Sequence, residues 1–170
     1  MIYKLITKVL SNRLQRVIGE LVPKNQHAYI KGRRTTDCSL WAHELVRDFK
    51  KKLGSKSACF KIDLHEAFDS LNKEFIYFIM HCMKFPPLWI SWIRECHSTL
   101  TFSIMVNGSA SRFIESNRGI RQGDPLSPYN FVLAMEFWTI QMDLASAVGE
   151  LNLSRENHIT IYLIYYLQMT

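Results

Sequence analysis

Arg118-Gly119-Ile120-Arg121-Gln122-Gly123-Asp124-Pro125-Leu126-Ser127-Pro128 is the stretch from which the rest of the chain is read. Gly119 and Gly123 lack a Cβ, so backbone can approach a ligand closely there. Arg118 and Arg121 suit phosphate, because a guanidinium presents a planar fork of donors. Gln122 adds a neutral donor and a neutral acceptor. Pro125 and Pro128 stiffen the loop. Pro128 fits the first turn of a long helix whose stripe includes Phe131, Val132, Met135 and Trp138. Taken alone, the segment also reads as a polar loop that caps a helix.

Just upstream, Thr101 to Val106, then Asn107-Gly108, then Ser109 to Glu115 form a hairpin signal. Asn-Gly supplies the positive φ values that a tight hairpin turn needs. Further back, Phe60-Lys61-Ile62-Asp63-Leu64-His65-Glu66-Ala67-Phe68-Asp69 has apolar residues leading into a carboxylate. Ser57 to Ile62 reads as a short buried strand, which places Asp63 at its end. A carboxylate fixed there can hold Mg²⁺ beside a substrate phosphate. Two-metal phosphoryl transfer needs rigid carboxylates, because the ions sit about 3.5–4 Å apart. An Asp at a strand end also serves as a turn or cap residue.

The remaining segments read as helices. Ile2, Leu5, Ile6, Val9, Leu10, Leu14, Val17, Ile18 and Leu21 recur at helical spacing, opposite Lys4, Lys8, Asn12, Arg16 and Glu20. Nothing caps the start of this helix, so the chain looks cut into rather than begun. Pro23 ends it. A loop or short strand dense in positive charge follows, with Lys31, Arg33 and Arg34. Asp37 is a plausible N-cap for a second helix that ends at Gly54. Asn72 caps a third, Pro86-Pro87 breaks it, and Leu88, Trp89, Trp92, Ile93 and Cys96 suggest a fourth. The order is helix, helix, strand, helices, hairpin, helix. That is an α+β pattern in one domain, without repeats or linkers.

Composition bounds the rest. The chain has 170 residues, 48% of them apolar, and a net charge of +6. A sizeable core is possible, and an anionic partner is favoured. Four cysteines are too few for a disulfide scaffold. Neither His81-Cys82 nor Cys96-His97 has the usual zinc spacing. Lys4 and Lys8 interrupt the N-terminal apolar run, so it is not a secretory signal. No apolar run reaches the ~18 residues of a membrane span. Reduced thiols inside a cell are the default, nuclear or cytoplasmic.

In this order, the segments resemble the reverse transcriptase of LINE-type non-LTR retrotransposons, of the kind common in plant genomes. The resemblance runs from Tyr3 to about Leu144. Tyr3-Lys4 through Arg13-Leu14 is similar to the family's YK…K-x-L-x-x-RL helix. Gln26-His27-Ala28-Tyr29 with Gly32-Arg33 is similar to its Q-x-A-F…GR segment. Lys61-Ile62-Asp63 with Ala67-Phe68-Asp69 resembles motif A. Phe102-Ser103 with Val106-Asn107-Gly108 resembles its hairpin. Residues 118–128 match motif B nearly letter for letter.

The resemblance implies the fingers and palm of a right-hand polymerase in part, with helices packed on a small antiparallel sheet over residues 1–158. It makes Asp63 the ligand of both catalytic Mg²⁺ ions, helped by the Leu64 carbonyl. Ala67 and Phe68 would line the incoming nucleotide, with Phe68 as the gate against a 2′-hydroxyl. Gln122 would contact the nucleotide, and Gly123 would let the loop pass under the template–primer. Lys31, Arg33, Arg34, Arg118 and Arg121 would meet nucleic-acid phosphates. The implied partners are an RNA template, a DNA primer and deoxynucleotides. No obligate protein partner follows, and no membrane. Glu66 stands where relatives of this type carry Lys. Asp69 reads as a helix-start residue rather than a metal ligand.

One departure governs the functional expectation. The family's motif C, [YF]-x-D-D, completes the metal site, and this chain contains no Asp-Asp; after Asp143 only Glu150 and Glu156 are acidic. The upstream fingers strands and the downstream thumb also fall outside the chain. Residues 159–170 look foreign to the family. Back-translated one frame over, they permit Leu-Ser-His-Leu-Leu-Phe-Ala-Asp-Asp, so a frameshift just before motif C is the reading favoured here. The expectation is a reverse transcriptase domain without polymerase activity of its own. The alternatives are a non-catalytic nucleic-acid-binding remnant or a non-functional retroelement fragment.

Overall fold

The computed structural model describes residues 2–24, 26–37, 39, 40, 43, 44, 47 and 64–149. The elements in chain order are α1 (Ile2–Leu21), α2 (Ala67–Ser70), α3 (Lys73–Cys82), α4 (Pro87–Ser98), β1 (Thr101–Phe102), β2 (Met105–Val106), β3 (Ser109–Ala110), β4 (Ile114–Glu115) and α5 (Ser127–Val148). The described positions between 35 and 47 are also helical, beginning at Thr35, two residues before the expected cap Asp37. The expected strand Ser57–Ile62 and the tail 159–170 lie outside the described residues.

Local signals set the helix ends. The Asn72 side chain accepts from the N–H groups of Glu74 at 2.9 Å and Phe75 at 3.4 Å, satisfying two donors that α3 cannot pair internally. Pro87 opens α4, where its missing N–H costs nothing. Pro128 does the same in α5, and Gly149 at φ 82° closes that helix. Asn107 and Gly108 take φ 50° and 81° at the hairpin tip. Met105 pairs with Ala110 and Val106 with Ser109 around it, while Thr101 pairs with Glu115 and Phe102 with Ile114 at the base.

The core is made by helix on helix. α5 packs against both α3 and α1, and α3 against α4. Asn130, Phe131, Val132, Leu133 and Ala134 are all buried, so the first half of α5 is covered on every side. The strands are exposed along their length. Among the described residues the core is formed between helices, with two small antiparallel strand pairs beside it. α5 has the length, and a mean hydropathy of 1.2, for a membrane-crossing helix. It nonetheless buries Asn130 and Glu136 and sits at the centre of the core.

α1 departs from its expected stripe. It buries Thr7, Leu10, Ser11, Leu14 and Ile18, and leaves Ile2, Leu5, Ile6, Val9 and Val17 exposed. Thr7 and Ser11 lie on the same 3.6-residue face as Leu14 and Ile18. Small side chains there let two helices approach more closely than Ile or Leu would. The Thr7 hydroxyl is satisfied by donating to the Lys4 carbonyl at 3.3 Å.

A polar chain crosses this core. Asn130 Nδ2 donates to His97 Nε2 at 3.0 Å, and His97 Nδ1 lies 2.9 Å from the Tyr77 hydroxyl. An accepting Nε2 means a neutral ring protonated on Nδ1, which then donates to Tyr77. Burial, and after it the nearby Lys73, hold His97 down at about 4. Glu136 moves the other way, pushed up to about 7 by burial and then by Asp143.

These two shifts oppose each other. The stability that neutral His97 contributes is full above its ordinary 6.5 and lost as pH falls towards 4. The stability from neutral Glu136 is full below its ordinary 4.5 and lost as pH rises through 7. Between those values the two nearly cancel. Glu136→Gln should therefore unmask a stability that rises with pH up to about 6.5, by roughly 3 kcal/mol. The same variant should be more stable than the natural chain at pH 8. Urea denaturation across pH measures both, and a variant no more stable at pH 8 refutes the assignment to Glu136.

Candidate functional site

Two stretches distant in sequence meet beside α5. The first is the turn of residues 64–71, where Glu66 adopts φ 49° ahead of the short α2. The second is the loop of residues 118–126. Ile120 N–H donates to the Phe68 carbonyl at 2.9 Å, and Gly119 N–H donates to the Leu71 carbonyl at 2.8 Å. Gly119 takes φ 81°, and a Cβ on it would stand 2.8 Å from the Asp69 carbonyl oxygen and 3.0 Å from Asp69 Cα. Only glycine permits that approach. Gln122 Nε2 donates to Asp69 Oδ2 at 3.0 Å. The Phe68 ring stacks on Phe131 of α5, with centroids 5.2 Å apart and planes 28° apart. The contact brings Phe68 and Gln122 into one neighbourhood, with Ala67 and Gly123 beside them in the chain.

The far side of the loop rests on α1. The Tyr3 hydroxyl donates to Asp124 Oδ2 at 3.1 Å. The Arg121 guanidinium lies over the Tyr3 ring, 5.6 Å from its centroid. Asp124 is only 4% exposed, and its Oδ1 has no partner among the described residues. Burial first, then the Asp124 carboxylate, raise the Tyr3 phenol above its ordinary value. The Ser127 hydroxyl donates to the Arg121 carbonyl at 2.6 Å, which winds the loop into the first turn of α5.

The other expected site residues are placed as follows. Asp63 lies outside the described residues, and Leu64 after it is exposed. Arg118, Lys31 and Arg34 are exposed. Lys31 borders a groove of about 570 Å³ with Asn12, Gln15, Arg16, Gly19 and Ile30. Arg33 is engaged within the fold. Its guanidinium donates to the carbonyls of Pro23 at 2.5 Å, Gln26 at 2.6 Å and Gly19 at 2.8 Å. These include acceptors that the C-terminal turn of α1 leaves unpaired. Among the described residues no three His, Cys, Asp or Glu side chains come together to hold a metal. Sequence reasoning missed Tyr3 and Asp69 as supports of the loop, because both act across long sequence separations.

Gly119→Ala should be costly at this contact, since both the positive φ and the 2.8 Å approach oppose a methyl group. A loss of about 2–4 kcal/mol is expected, together with faster hydrogen exchange at Gly119 and Ile120. Arg33→Ala should cost about 1–3 kcal/mol. Arg33→Lys should recover little of that, because one ammonium cannot span the carbonyls that the fork reaches. Thermal melts of the two Arg33 variants decide the point, and full recovery by lysine contradicts the capping role.

Comparison with known proteins shows the family of the chain. A family model described as reverse transcriptase (RNA-dependent DNA polymerase) matches residues 1–163. The chain is 26% identical over 134 residues to the transposon TX1 uncharacterized 149 kDa protein of Xenopus laevis, covering 79% of this chain and 10% of that protein. It is 30% identical over 90 residues to the Pol polyprotein of the type-2 retrotransposable element R2DM of Drosophila melanogaster, covering 52% of this chain and 8% of that one. It is 27% identical over 131 residues to the Pol polyprotein of the type-1 retrotransposable element R2 of Nasonia vitripennis, covering 76% and 12%. The chain thus spans about a tenth of the length of these curated relatives. A match along nearly the whole chain, with retrotransposon proteins as relatives, places it in a family: the chain belongs to the reverse transcriptases, the RNA-dependent DNA polymerases.

Proposed function

We propose that this chain is the nucleotide-facing part of a retrotransposon reverse transcriptase and does not extend primers by itself. The observation that supports this best is the docking of residues 119–122 on the turn that follows Asp63. In this reading Asp63 is the metal-binding carboxylate, with the Leu64 carbonyl beside it. Ala67 and Phe68 line the sugar of the incoming deoxynucleotide, Gln122 contacts it, and Gly123 lies under the template–primer. Lys31, Arg34, Arg118 and Arg121 face nucleic-acid phosphates, and Arg33 holds the Lys31–Arg34 loop in place.

The reaction of the family joins a primer 3′-hydroxyl to the α-phosphate of a deoxynucleotide. Two Mg²⁺ ions, when bound, stabilise the attacking and the leaving oxygens. The residues at hand fit that demand only in part. Asp63 is one carboxylate, the sequence has no Asp-Asp pair, and the described residues bring no further cluster of ligands together. One carboxylate cannot offset the mutual repulsion of two divalent cations at about 4 Å. A frameshift before motif C accounts for the missing pair.

A second reading, binding of nucleic acid without chemistry, is supported by the groove that carries Arg16 and Lys31. One experiment addresses both. The purified chain is mixed with an RNA template, an annealed DNA primer, deoxynucleotides and Mg²⁺. No extension is expected, while the template–primer should bind with a log–log salt slope of roughly −3.6, as four phosphate contacts on a duplex imply. Extension would overturn the loss of activity. Absence of binding even at low salt would overturn both readings.

A further inference from the structure

The Gln122–Gly123 pair is held by two residues that lie outside its own loop. On one side Asp69 Oδ2 accepts from Gln122 Nε2 at 3.0 Å. The Asp69 backbone is also what Gly119 packs against, so its position is shared by side chain and main chain. On the other side Tyr3 takes both flanks of the pair. Its hydroxyl donates to Asp124, the residue after Gly123, and its ring lies under Arg121, the residue before Gln122. Asp124 is buried, and its second oxygen has no partner among the described residues. The Tyr3 hydroxyl is therefore the hydrogen bond on which that carboxylate depends. We propose that Asp69 and Tyr3 are positioning residues that fix the Gln122 amide from opposite sides and so set its contact with a deoxynucleotide. The nucleotide part rests on the reading of Gln122 given above; the positioning part does not.

An amide with one N–H committed to Asp69 has its carbonyl oxygen and second N–H left for a ligand. Without Asp69 the side chain returns to several rotamers and must be ordered again on binding, which weakens affinity without removing any ligand contact. Tyr3 acts through charge. Without its hydroxyl a buried carboxylate loses its partner, and the loop must move to hydrate it. The conservative replacements separate these effects from loss of fold. Asn at position 69 still offers an acceptor to Gln122. Asn at position 124 removes the buried charge that makes the Tyr3 hydroxyl necessary.

The test uses the full chain, labelled with ¹⁵N, and the Gln122 side-chain amide resonance, assigned by its loss in Q122A. Asp69→Ala should shift that resonance to its solvent-exposed position and speed exchange of the Gly119 and Ile120 amides about tenfold. Asp69→Asn should preserve both. Tyr3→Phe should disturb the same resonance, and Tyr3→Phe with Asp124→Asn should restore it. With Mg²⁺ and a fluorescent deoxynucleoside triphosphate, Asp69→Ala and Tyr3→Phe should each weaken binding about 3–10-fold. Neither should add to Gln122→Ala, and the two rescuing variants should stay within about twofold of the natural chain. Asp69 is exposed, so its alanine variant carries the test even where Tyr3→Phe does not fold. An unchanged Gln122 resonance in Asp69→Ala overturns the proposal. The resonance changes in a chain that binds no deoxynucleotide uphold the positioning and sink the reading of Gln122 as a nucleotide contact.

Discussion

The approach of Gly119 to the Asp69 backbone is the constraint on which the rest of the site depends. Two main-chain hydrogen bonds, Gly119 to Leu71 and Ile120 to Phe68, form only because no side chain intervenes at position 119. They bring together segments some fifty residues apart. Such a contact must offset the entropy of closing the chain between them, which grows only slowly with length. What offsets it is packing behind the contact. Ile120, Leu126 and Phe131 are buried in the core cluster, and Phe68 stacks on Phe131. The loop is thus anchored at both ends by apolar burial, while the residues between, Arg121 to Gly123, stay accessible.

That anchoring needs α5 to hold a single rotational setting, and apolar packing alone does not supply one. Its first half is buried on all sides, so several settings would bury similar area. Asn130 breaks the degeneracy. It must meet His97 of α4, and His97 must meet Tyr77 of α3. A buried polar chain gains specificity because a lost partner is costly, and here Asn130 Nδ2, His97 and the Tyr77 hydroxyl are paired while Asn130 Oδ1 has no partner among the described residues. Lys73, donating to the carbonyls of His97 and Ser116, ties the same helices to the end of the hairpin. Asn130 and Phe131 are adjacent. The bond that fixes the setting of α5 therefore also fixes where Phe131 meets Phe68, and with it the height at which the loop meets the turn.

What could be read from sequence divides by range. Asn72, Pro87, Asn107-Gly108 and Pro128 each act on backbone within four residues, and each does in the structure what its chemistry predicts. Motif B was legible as a string, and it revealed the family, because its glycines and prolines carry local constraints. The long-range supports carried no such signal. Arg33 reads as one more cation in a basic loop, yet it closes the end of α1. Asp69 reads as a helix-start residue, and it does lie in the first turn of α2, but its carboxylate also holds Gln122 from 53 positions away. α1 offers two overlapping faces, and periodicity cannot choose between them. The face that is buried carries Thr7 and Ser11, while the more apolar Leu5, Ile6 and Val9 stay exposed.

The same distinction bears on how the site relates to the rest of the molecule. Exposed apolar residues here are ordered rather than scattered: Ile2, Leu5, Ile6 and Val9 on α1, and Ile140, Leu144 and Val148 at helical spacing on α5. Stripes of that kind are more than a soluble surface usually carries. Neither stripe belongs to the core cluster that supports the loop. The loop–turn contact leans on the inner face of α1, through Tyr3, and on the first half of α5, through Phe131. Whatever covers the stripes in solution, the geometry around Gln122 does not wait for it. The loop–turn contact rests on packing and two main-chain bonds, and it forms in a sequence that contains no Asp-Asp pair.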